Sequence, residues 1–433
     1  MTNDIGSDTV IVLFKYQQQE GNVSSDPYFT EFTIPTGLRV YYRYADVPWF
    51  HTVIGLHVGH RDDPPGKEGT AHLLEHQLSS GTQGLPLMNP TQLERWIGEQ
   101  RFELNHGSTN NDVTVYAAKA EVQRANELFD FLHRFVFLPR LDVGFEHDRQ
   151  IVRHERTTRG SVREREARSA RDRAVLGSHR LATTEGCPED VVLNALTPDD
   201  VQAMHRRYYH YRNAVMVVGG GLGIVDLKRV LGDIFTQPYD DRAPRPQPPG
   251  IFFEPPRPNF YHSHAKKSVE SVSVEYVWHL SPLERRNAYG FVVLRNTLSR
   301  LLFDRLRVEE ELVYSVGVHQ GFNIDRVHLV ISTKVRPENV DRVRAIIEHT
   351  MRNVEGLRAN FDDDRKRTVL TILFEDNHIA GQISNATHEI NIFGMPLSPQ
   401  ERVGVFESLQ ERDLDPFVDL LAPERAYVEL YEH

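Results

Sequence analysis

Hydrophobic and polar positions along the chain repeat with the short periods that are typical of strands and helices. Residues 31–44 predict a hairpin, because a Pro-Thr-Gly turn signal separates two runs rich in aromatic and β-branched residues. Residues 195–209 predict a helix that Thr197 caps and that has proline at its first position. Largely apolar segments predict further strands at 51–59, 214–221, 272–280 and 328–335, and helical spacing predicts helices from about Ala71 and over 340–354.

Prolines concentrate near the middle of the chain, in a segment where neither a helix nor a central strand can continue. The two halves on either side share an order of strands, a helix pair, a strand and further helix. We therefore predict an α+β protein with two homologous domains, each with a mixed or antiparallel sheet packed by helices. The N-terminal domain is expected at residues 1–236, the Pro-rich linker at 237–258 and the C-terminal domain at 259–433.

The composition excludes several classes of protein. The formal net charge is −11, whereas a nucleic-acid surface needs clustered excess Lys and Arg. The most basic stretch, residues 159–173, interleaves Glu with Arg at helical spacing and is expected to be a solvated helix face. No apolar run approaches the roughly 20 residues that span a bilayer. We therefore expect neither nucleic acid nor membrane as a partner.

The N-terminus and the cysteine content indicate the compartment. The first residues contain no basic segment followed by an apolar one, so they do not predict a secretory signal. Cys187 is the single cysteine, which excludes an intrachain disulfide framework and suits a reducing environment. A cytoplasmic location is therefore expected.

Residues 69–82 carry the strongest candidate chemistry. On a helix of about 100° per residue, His72, Glu75 and His76 share one side, while the alanine and leucine positions gather on another. Two imidazoles at i and i+4 are spaced to bind one zinc ion, and a catalytic zinc site has three protein ligands and an open position. Glu75 is then placed to act as a general base toward water. Taken alone, the same three residues could also decorate an exposed helix face.

This helix has the reversed zincin pattern HxxEH, and the chain resembles the pitrilysin and mitochondrial-processing-peptidase family over nearly its whole length. The resemblance implies a third zinc ligand on a later helix, where Val152-Arg153-His154-Glu155 matches the family's Val-x-x-Glu and points to Glu155. It also implies a supporting carboxylate two helical turns earlier, where Asp148 replaces the family's usual glutamate. The alternative for Asp148 is an ordinary exposed residue near a helix start. One Zn²⁺ per chain is expected, because the second half has no further HxxEH.

Residues 103–120 are similar to the family's substrate-pairing edge strand. Asn105 matches a motif position, whereas His106 replaces the small residue that usually follows. Asp112 and the alternate residues after it are expected to continue the alternation of the strand. An extended peptide would pair with such an edge through main-chain groups, which all peptides share.

Residues 297–318 resemble a matching segment of the family's second half. Arg307 and Tyr314 occupy the positions of an Arg/Tyr pair that contacts the substrate backbone near the scissile bond. The resemblance therefore implies that Arg307 binds carbonyl oxygen and that the Tyr314 hydroxyl steadies the tetrahedral oxyanion.

The resemblance implies a zinc-dependent metallo-endopeptidase that cleaves short or unfolded peptides, with the leader of a precursor peptide as one candidate substrate. Two repeats supply half of the family's four-domain chamber, so a dimer is implied. A homodimer completed in trans is expected, because one chain carries both the zinc motif and the Arg/Tyr pair, and a heterodimer with a related subunit stays open. The competing function is a non-catalytic peptide-binding or regulatory subunit. Such partners have usually lost the zinc motif, which this chain retains.

Overall fold

The structure, a computed structural model, describes residues 28–85, 88, 90–158, 162–177, 179–183, 186–236, 242–245 and 270–432. Two sheets with helices packed against them form a two-domain α+β fold, which confirms the predicted fold class. Most of the predicted linker, 237–258, lies outside the described residues, and the exact domain boundaries stay a prediction.

The strands of the described residues are β1 (Thr30–Thr33), β2 (Arg39–Tyr44), β3 (Trp49–Leu56), β4 (Phe102–Thr109), β5 (Thr114–Glu121), β6 (Ala214–Gly220), β7 (Val272–Leu280), β8 (Val313–Asn323), β9 (Arg326–Val335) and β10 (Tyr427–Glu432). The α-helices are α1 (Thr70–Ser80), α2 (Pro90–Glu99), α3 (Ala125–Phe137), α4 (Phe145–Thr158), α5 (Val162–Leu176), α6 (Asp190–Asn194), α7 (Pro198–Tyr208), α8 (Ile224–Ile234), α9 (Arg285–Phe303), α10 (Val340–Arg352), α11 (Val354–Glu375), α12 (Ile379–Phe393), α13 (Pro399–Ser408) and α14 (Asp415–Val418). A π-helical segment, Asp304–Glu309, follows α9.

The first sheet has the strand order β1-β2-β6-β3-β5-β4. Only β2 and β6 among these neighbours run parallel, and the rest pair antiparallel. Every residue of β6 is buried, as its apolar sequence predicts for a central strand. Among the described strands, β4 lies at the edge of this sheet and has no neighbour on its outer side. Helix α1 packs against β4, α4 and α7.

The segment predicted as one substrate-pairing strand, 103–120, is a hairpin of β4 and β5, so the expectation of a single strand was wrong. Asp112 lies in the turn, where Asn110 Oδ1 accepts hydrogen bonds from the amides of Asp112 and Val113. Tyr116 belongs to β5 and is buried in the core. Only the β4 part of the segment therefore has an open edge.

The second sheet has the order β10-β7-β9-β8, and all of its neighbours are antiparallel. Each sheet also contacts a helix from the other half of the chain. On α12, Ile379, Ile383 and Ile390 pack with Val215 and Val217 of β6, and α5 contacts β10. The two halves are thus held together by exchanged helices, which the hydrophobic pattern alone does not predict.

The basic stretch 159–173 is not wholly solvated. Arg171 on α5 is largely buried, and its Nη1 donates to Glu275 Oε2 of β7 at 2.8 Å. The neighbouring carboxylates of Asp172 and Glu275 raise the pKa of Arg171, although burial alone would lower it. Part of this stretch is therefore a contact with the second sheet.

A buried ionic cluster joins the loop before α1 to the turn between β8 and β9. Asp325 is fully buried, and both of its carboxylate oxygens accept hydrogen bonds from the Arg61 guanidinium. Arg61 also pairs with Asp112, and Asp112 Oδ2 accepts from Asn323 Nδ2 at 2.9 Å. Burial would raise the pKa of Asp325, but His179 and Arg61 hold it far below its ordinary value.

Asp325→Asn is expected to lower the free energy of unfolding at pH 7 by about 3 kcal/mol, because Arg61 loses a buried charged partner. A carboxyl group with a depressed folded-state pKa stabilises the fold above its ordinary pKa, and this stabilisation is lost as the pH falls below that value. The difference between parent and variant should therefore shrink between about pH 4 and pH 2. Urea unfolding across this range, with exposed Asp46→Asn as the control, measures it. Equal stability of the parent and Asp325→Asn at pH 7 would contradict the stabilising role.

Candidate active site

Helix α1 is fixed at its N-terminus by Asp63, a residue of the preceding loop. The buried carboxylate of Asp63 accepts hydrogen bonds from Gly69 N at 2.8 Å and from Ala71 N at 2.7 Å. These amides belong to the first turn, where no intrahelical acceptor is available. Leu74 and Leu78 on the other side of the helix are fully buried in the core. The helix is therefore held both at its end and along its apolar side.

The three predicted zinc ligands meet in one place. His72 Nε2 and His76 Nε2 are 3.2 Å apart, and the Glu155 carboxylate lies 3.4 Å from His72 Nε2 and 3.2 Å from His76 Nε2. Ligands of a tetrahedral zinc ion with bonds of about 2.0–2.1 Å are separated by about 3.3 Å. The two imidazole nitrogens and the Glu155 carboxylate, which turns Oε2 toward His72 and Oε1 toward His76, thus have the spacing and the chemical character of a zinc site, and these residues could hold the ion.

Asp148 ties the helix of Glu155 to the helix of the two histidines. Its side chain is buried on α4, and its Oδ2 accepts from Ser80 Oγ at 2.7 Å and lies 3.4 Å from Gln77 Nε2 on α1. The alternative of an ordinary exposed aspartate is thereby excluded. Burial raises the pKa of Asp148, and the Ser80 and Gln77 contacts oppose that rise. The residue contacts α1 rather than a zinc ligand, so its support for the site is through helix placement.

The backbone near residue 186 orients His72. Its Nδ1 lies 2.8 Å from the Gly186 carbonyl oxygen, to which only a protonated Nδ1 can donate. In the neutral ring, this leaves the lone pair on Nε2, the nitrogen that faces Glu155. Sequence reasoning missed this contact, because nothing in residues 184–188 marks a partner for a histidine more than a hundred positions away.

Cys187 also belongs to this neighbourhood. Ligand atoms of His72, Glu155 and Cys187 lie within 4.8 Å of one another, and Cys187 Sγ is 3.6 Å from His72 Nδ1. Burial opposes protonation of His72, but Cys187 and Glu155 raise its pKa to about 10. A divalent cation bound at His72 would have to compete with the proton for the lone pair of the ring.

Glu75 lies beside the cluster on the inner side of α1. Its side chain is buried, at 8% exposure. Burial is the largest influence and raises the pKa of Glu75, whereas His72 and Thr109 favour its ionised form. A buried carboxyl group with a raised pKa next to a possible metal site suits proton transfer near neutral pH.

The β4 strand approaches Glu75 through a bulge between Asn105 and Ser108. Asn105 Oδ1 accepts from Gly107 N at 3.1 Å and so stabilises the irregular backbone. Gly107 has a φ of +144°, and a Cβ added there would lie 2.6 Å from Glu75 Cγ and 2.8 Å from Tyr116 Cε1. Only glycine therefore allows this approach. His106 lies in the same bulge, but its side chain is outside the described part of the structure.

Arg307 and Tyr314 come together at the end of the second sheet. Arg307 is in the π-helical segment after α9, and its guanidinium carbon lies 5.6 Å from the centroid of the Tyr314 ring on β8. Tyr314 is 87% exposed, which is unusual for a large aromatic side chain. The exposed Tyr314 ring and the partly exposed Arg307 beside it are thus accessible to another molecule.

Two models of one family match the sequence. The model described as Insulinase (Peptidase family M16) matches residues 51–189, which include α1 and α4. The model described as Peptidase M16 inactive domain matches residues 195–367. No curated protein matches the chain.

Solved structures with the same fold include a protease from Helicobacter pylori, with a TM-score of 0.77, 16% identity, and coverage of 94% of this chain and 100% of that chain. The peptidase M16 inactive domain from Pseudomonas fluorescens has a TM-score of 0.76 at 14% identity and covers 93% and 98% of the two chains. The periplasmic protease PqqL from Escherichia coli has a TM-score of 0.72 at 14% identity, and the match covers 94% of this chain but 48% of that one.

The location of the chain stays a prediction. None of the helices in the described ranges combines the length and the apolar character that a membrane crossing requires, and one of the similar structures is a periplasmic protein.

The family itself is settled by the sequence models, which together match well over half of the 433 residues and agree with the observed two-domain fold. The chain belongs to the peptidase M16 family.

Proposed function

We propose that this chain is a zinc-dependent metallo-endopeptidase that cleaves short or unfolded peptides. The observation that carries the proposal is the convergence of His72, His76 and Glu155 at tetrahedral spacing, with buried Glu75 alongside. If His72 and His76 were ordinary polar residues on a helix surface, there would be no reason for a carboxylate from another helix to lie next to both imidazoles. The exposed edge of β4 beside Glu75 supplies a place for an extended peptide.

The residues of the chain have separate roles in the proposed hydrolysis. Bound zinc would supply Lewis-acid chemistry, which polarises the peptide carbonyl and makes water more acidic. The Glu75 carboxylate accepts a proton from the attacking water, whose oxygen bonds to the carbonyl carbon. Glu75 then delivers that proton to the leaving nitrogen as the C–N bond breaks. The β4 backbone holds the peptide in line, because main-chain pairing does not depend on its sequence.

Arg307 and Tyr314 would complete the site from a second chain. They lie in the second domain, whereas the zinc ligands and Glu75 lie in the first. The match to only 48% of the Escherichia coli structure is what a chain of half the length would give. We propose a homodimer in which each chain donates its Arg/Tyr patch to the peptide bound by the other, with a heterodimer as the alternative assembly.

A non-catalytic peptide-binding subunit is the second candidate function. The description of the matching model for residues 195–367 as an inactive domain favours it. The two functions differ in a measurement on the parent protein: a peptidase hydrolyses a fluorogenic peptide when zinc is supplied, whereas a binding subunit retains the peptide intact.

Glu75→Gln is expected to lower peptide turnover by about 10²–10⁴-fold while zinc content stays at one ion per chain, because the amide cannot accept the proton. A fluorogenic peptide assay and metal analysis of the same samples test this. Glu99→Gln, an exposed change on α2, should retain both activity and metal. Unchanged turnover in Glu75→Gln would remove this residue from the mechanism.

Gly107→Ala is expected to lower turnover by about 10²-fold, because the new methyl group would displace the Glu75 carboxylate. Zinc binding should persist, since His72, His76 and Glu155 are untouched. Gly98→Ala on α2 is the matched control, because a Cβ there meets no atom within 4 Å. Thermal unfolding of both variants shows whether a loss of activity comes from a misplaced Glu75 carboxylate or from a destabilised fold. A folded Gly107→Ala protein as active as Gly98→Ala would refute the positioning role of Gly107.

Two inactive variants should restore activity when their chains are combined. Glu75→Gln and Arg307→Ala should each be inactive as homodimers, but a mixed dimer contains one site with intact Glu75 and the partner's intact Arg307. Random co-assembly of equal amounts is expected to recover about a quarter of the parent activity. Co-expression of the two variants in equal amounts, followed by the peptide assay, measures this recovery, and isolation of the mixed dimer through two different affinity tags should raise it to about half. Activity no higher than the average of the two variants would exclude completion in trans.

A further inference from the structure

A cavity lies in the C-terminal half, and none of the proposed zinc ligands lines it. Its volume is about 790 Å³, which is in the range of small-molecule sites. Helices α9, α11 and α12 and strand β8 provide its walls. Apolar side chains on these walls include Val292, Phe322, Ile372 and Phe393.

The arginines that line this cavity differ in their partners. Arg300 donates to both carboxylate oxygens of Asp364, at 2.9 and 2.8 Å, and Arg402 pairs with buried Asp376. Arg295, which is half-buried on α9, has no ion pair or hydrogen bond with any residue in the described ranges. Burial is the one influence on its pKa, which is lowered.

An unpartnered acceptor lines the same cavity. Gln320 Oε1 of β8 is buried and receives no hydrogen bond from the described protein groups. A guanidinium without an anion and an amide oxygen without a donor each lose solvation on burial. One ligand with both an anionic group and an N–H donor would satisfy the two together.

We propose that this cavity binds a small amphipathic carboxylate: a molecule with one carboxylate for Arg295, a hydrogen-bond donor for Gln320 and an apolar body for the phenylalanine-lined wall. A bidentate guanidinium–carboxylate pair is the strongest available contact for such a group. The site belongs to the second domain and does not depend on zinc or on Glu75, so it goes beyond the proposed peptidase activity.

Three probes of similar size test the chemistry in the intact chain. L-Phenylalanine carries the carboxylate and the donor, 3-phenylpropionate carries the carboxylate alone, and L-phenylalaninamide carries the donor without the carboxylate. Ligand-observed NMR titration should give saturable binding that is tightest for L-phenylalanine, weaker for 3-phenylpropionate and weakest for the amide. Equal binding of the amide and 3-phenylpropionate, or saturable binding of none of the three, would overturn the proposal.

Two variants test whether the probes bind in this cavity. R295Q should abolish the preference for a carboxylate, and Q320L should remove only the advantage of L-phenylalanine over 3-phenylpropionate. R412Q, a change to an exposed arginine of the same domain that does not line the cavity, is the control and should bind as the parent does. Should R295Q fail to fold, R295K retains the charge but not the bidentate geometry and should bind the carboxylates less tightly. Unaltered binding in R295K and Q320L would refute the site.

Discussion

The candidate site depends on one constraint: α1 and α4 must hold their side chains at a separation that lets two imidazoles and a carboxylate share one ion. Each helix is fixed by a contact that is not itself part of the donor set. Asp63 caps α1, and buried Asp148 joins α4 to Ser80 of α1. The donor spacing of 3.2–3.4 Å is therefore set by helix placement rather than by flexible side chains.

Turn residues, helix caps and helical spacing in the sequence made several of these elements predictable. The Pro-Thr-Gly turn gave the β1–β2 hairpin, and the capping box of Thr197 and Asp200 begins α7 at Pro198 as its sequence indicates. The positions of His72 and His76 on one side of α1 follow from helical spacing alone. Glu155 required the family resemblance, because no periodicity connects it to α1 across the sequence that separates them.

Contacts between distant segments could not be read from the sequence. The Gly186 carbonyl at His72 and the Gly107 backbone at Glu75 arise where loops and a strand bulge meet α1. Asp112 was placed in a strand because the alternation of residue types continues through the turn, yet it is buried beside Arg61. Similarly, the charges of α5 indicate solvent, but Arg171 finds its partners on the second sheet. In each case tertiary packing overrides the local pattern.

The buried pair of Arg61 and Asp325 connects the second domain to the site. Arg61 lies two residues before the capping Asp63, so the loop that holds the start of α1 is itself anchored to the β8–β9 turn. Buried ion pairs contribute little net stability compared with apolar packing, but they tolerate few alternative arrangements. Removing one partner would leave the other charge buried and uncompensated, so the contact between the two domains depends on both residues. The position of α1, and with it the geometry of the proposed zinc ligands, then depends on the docking of both domains as well as on the first domain.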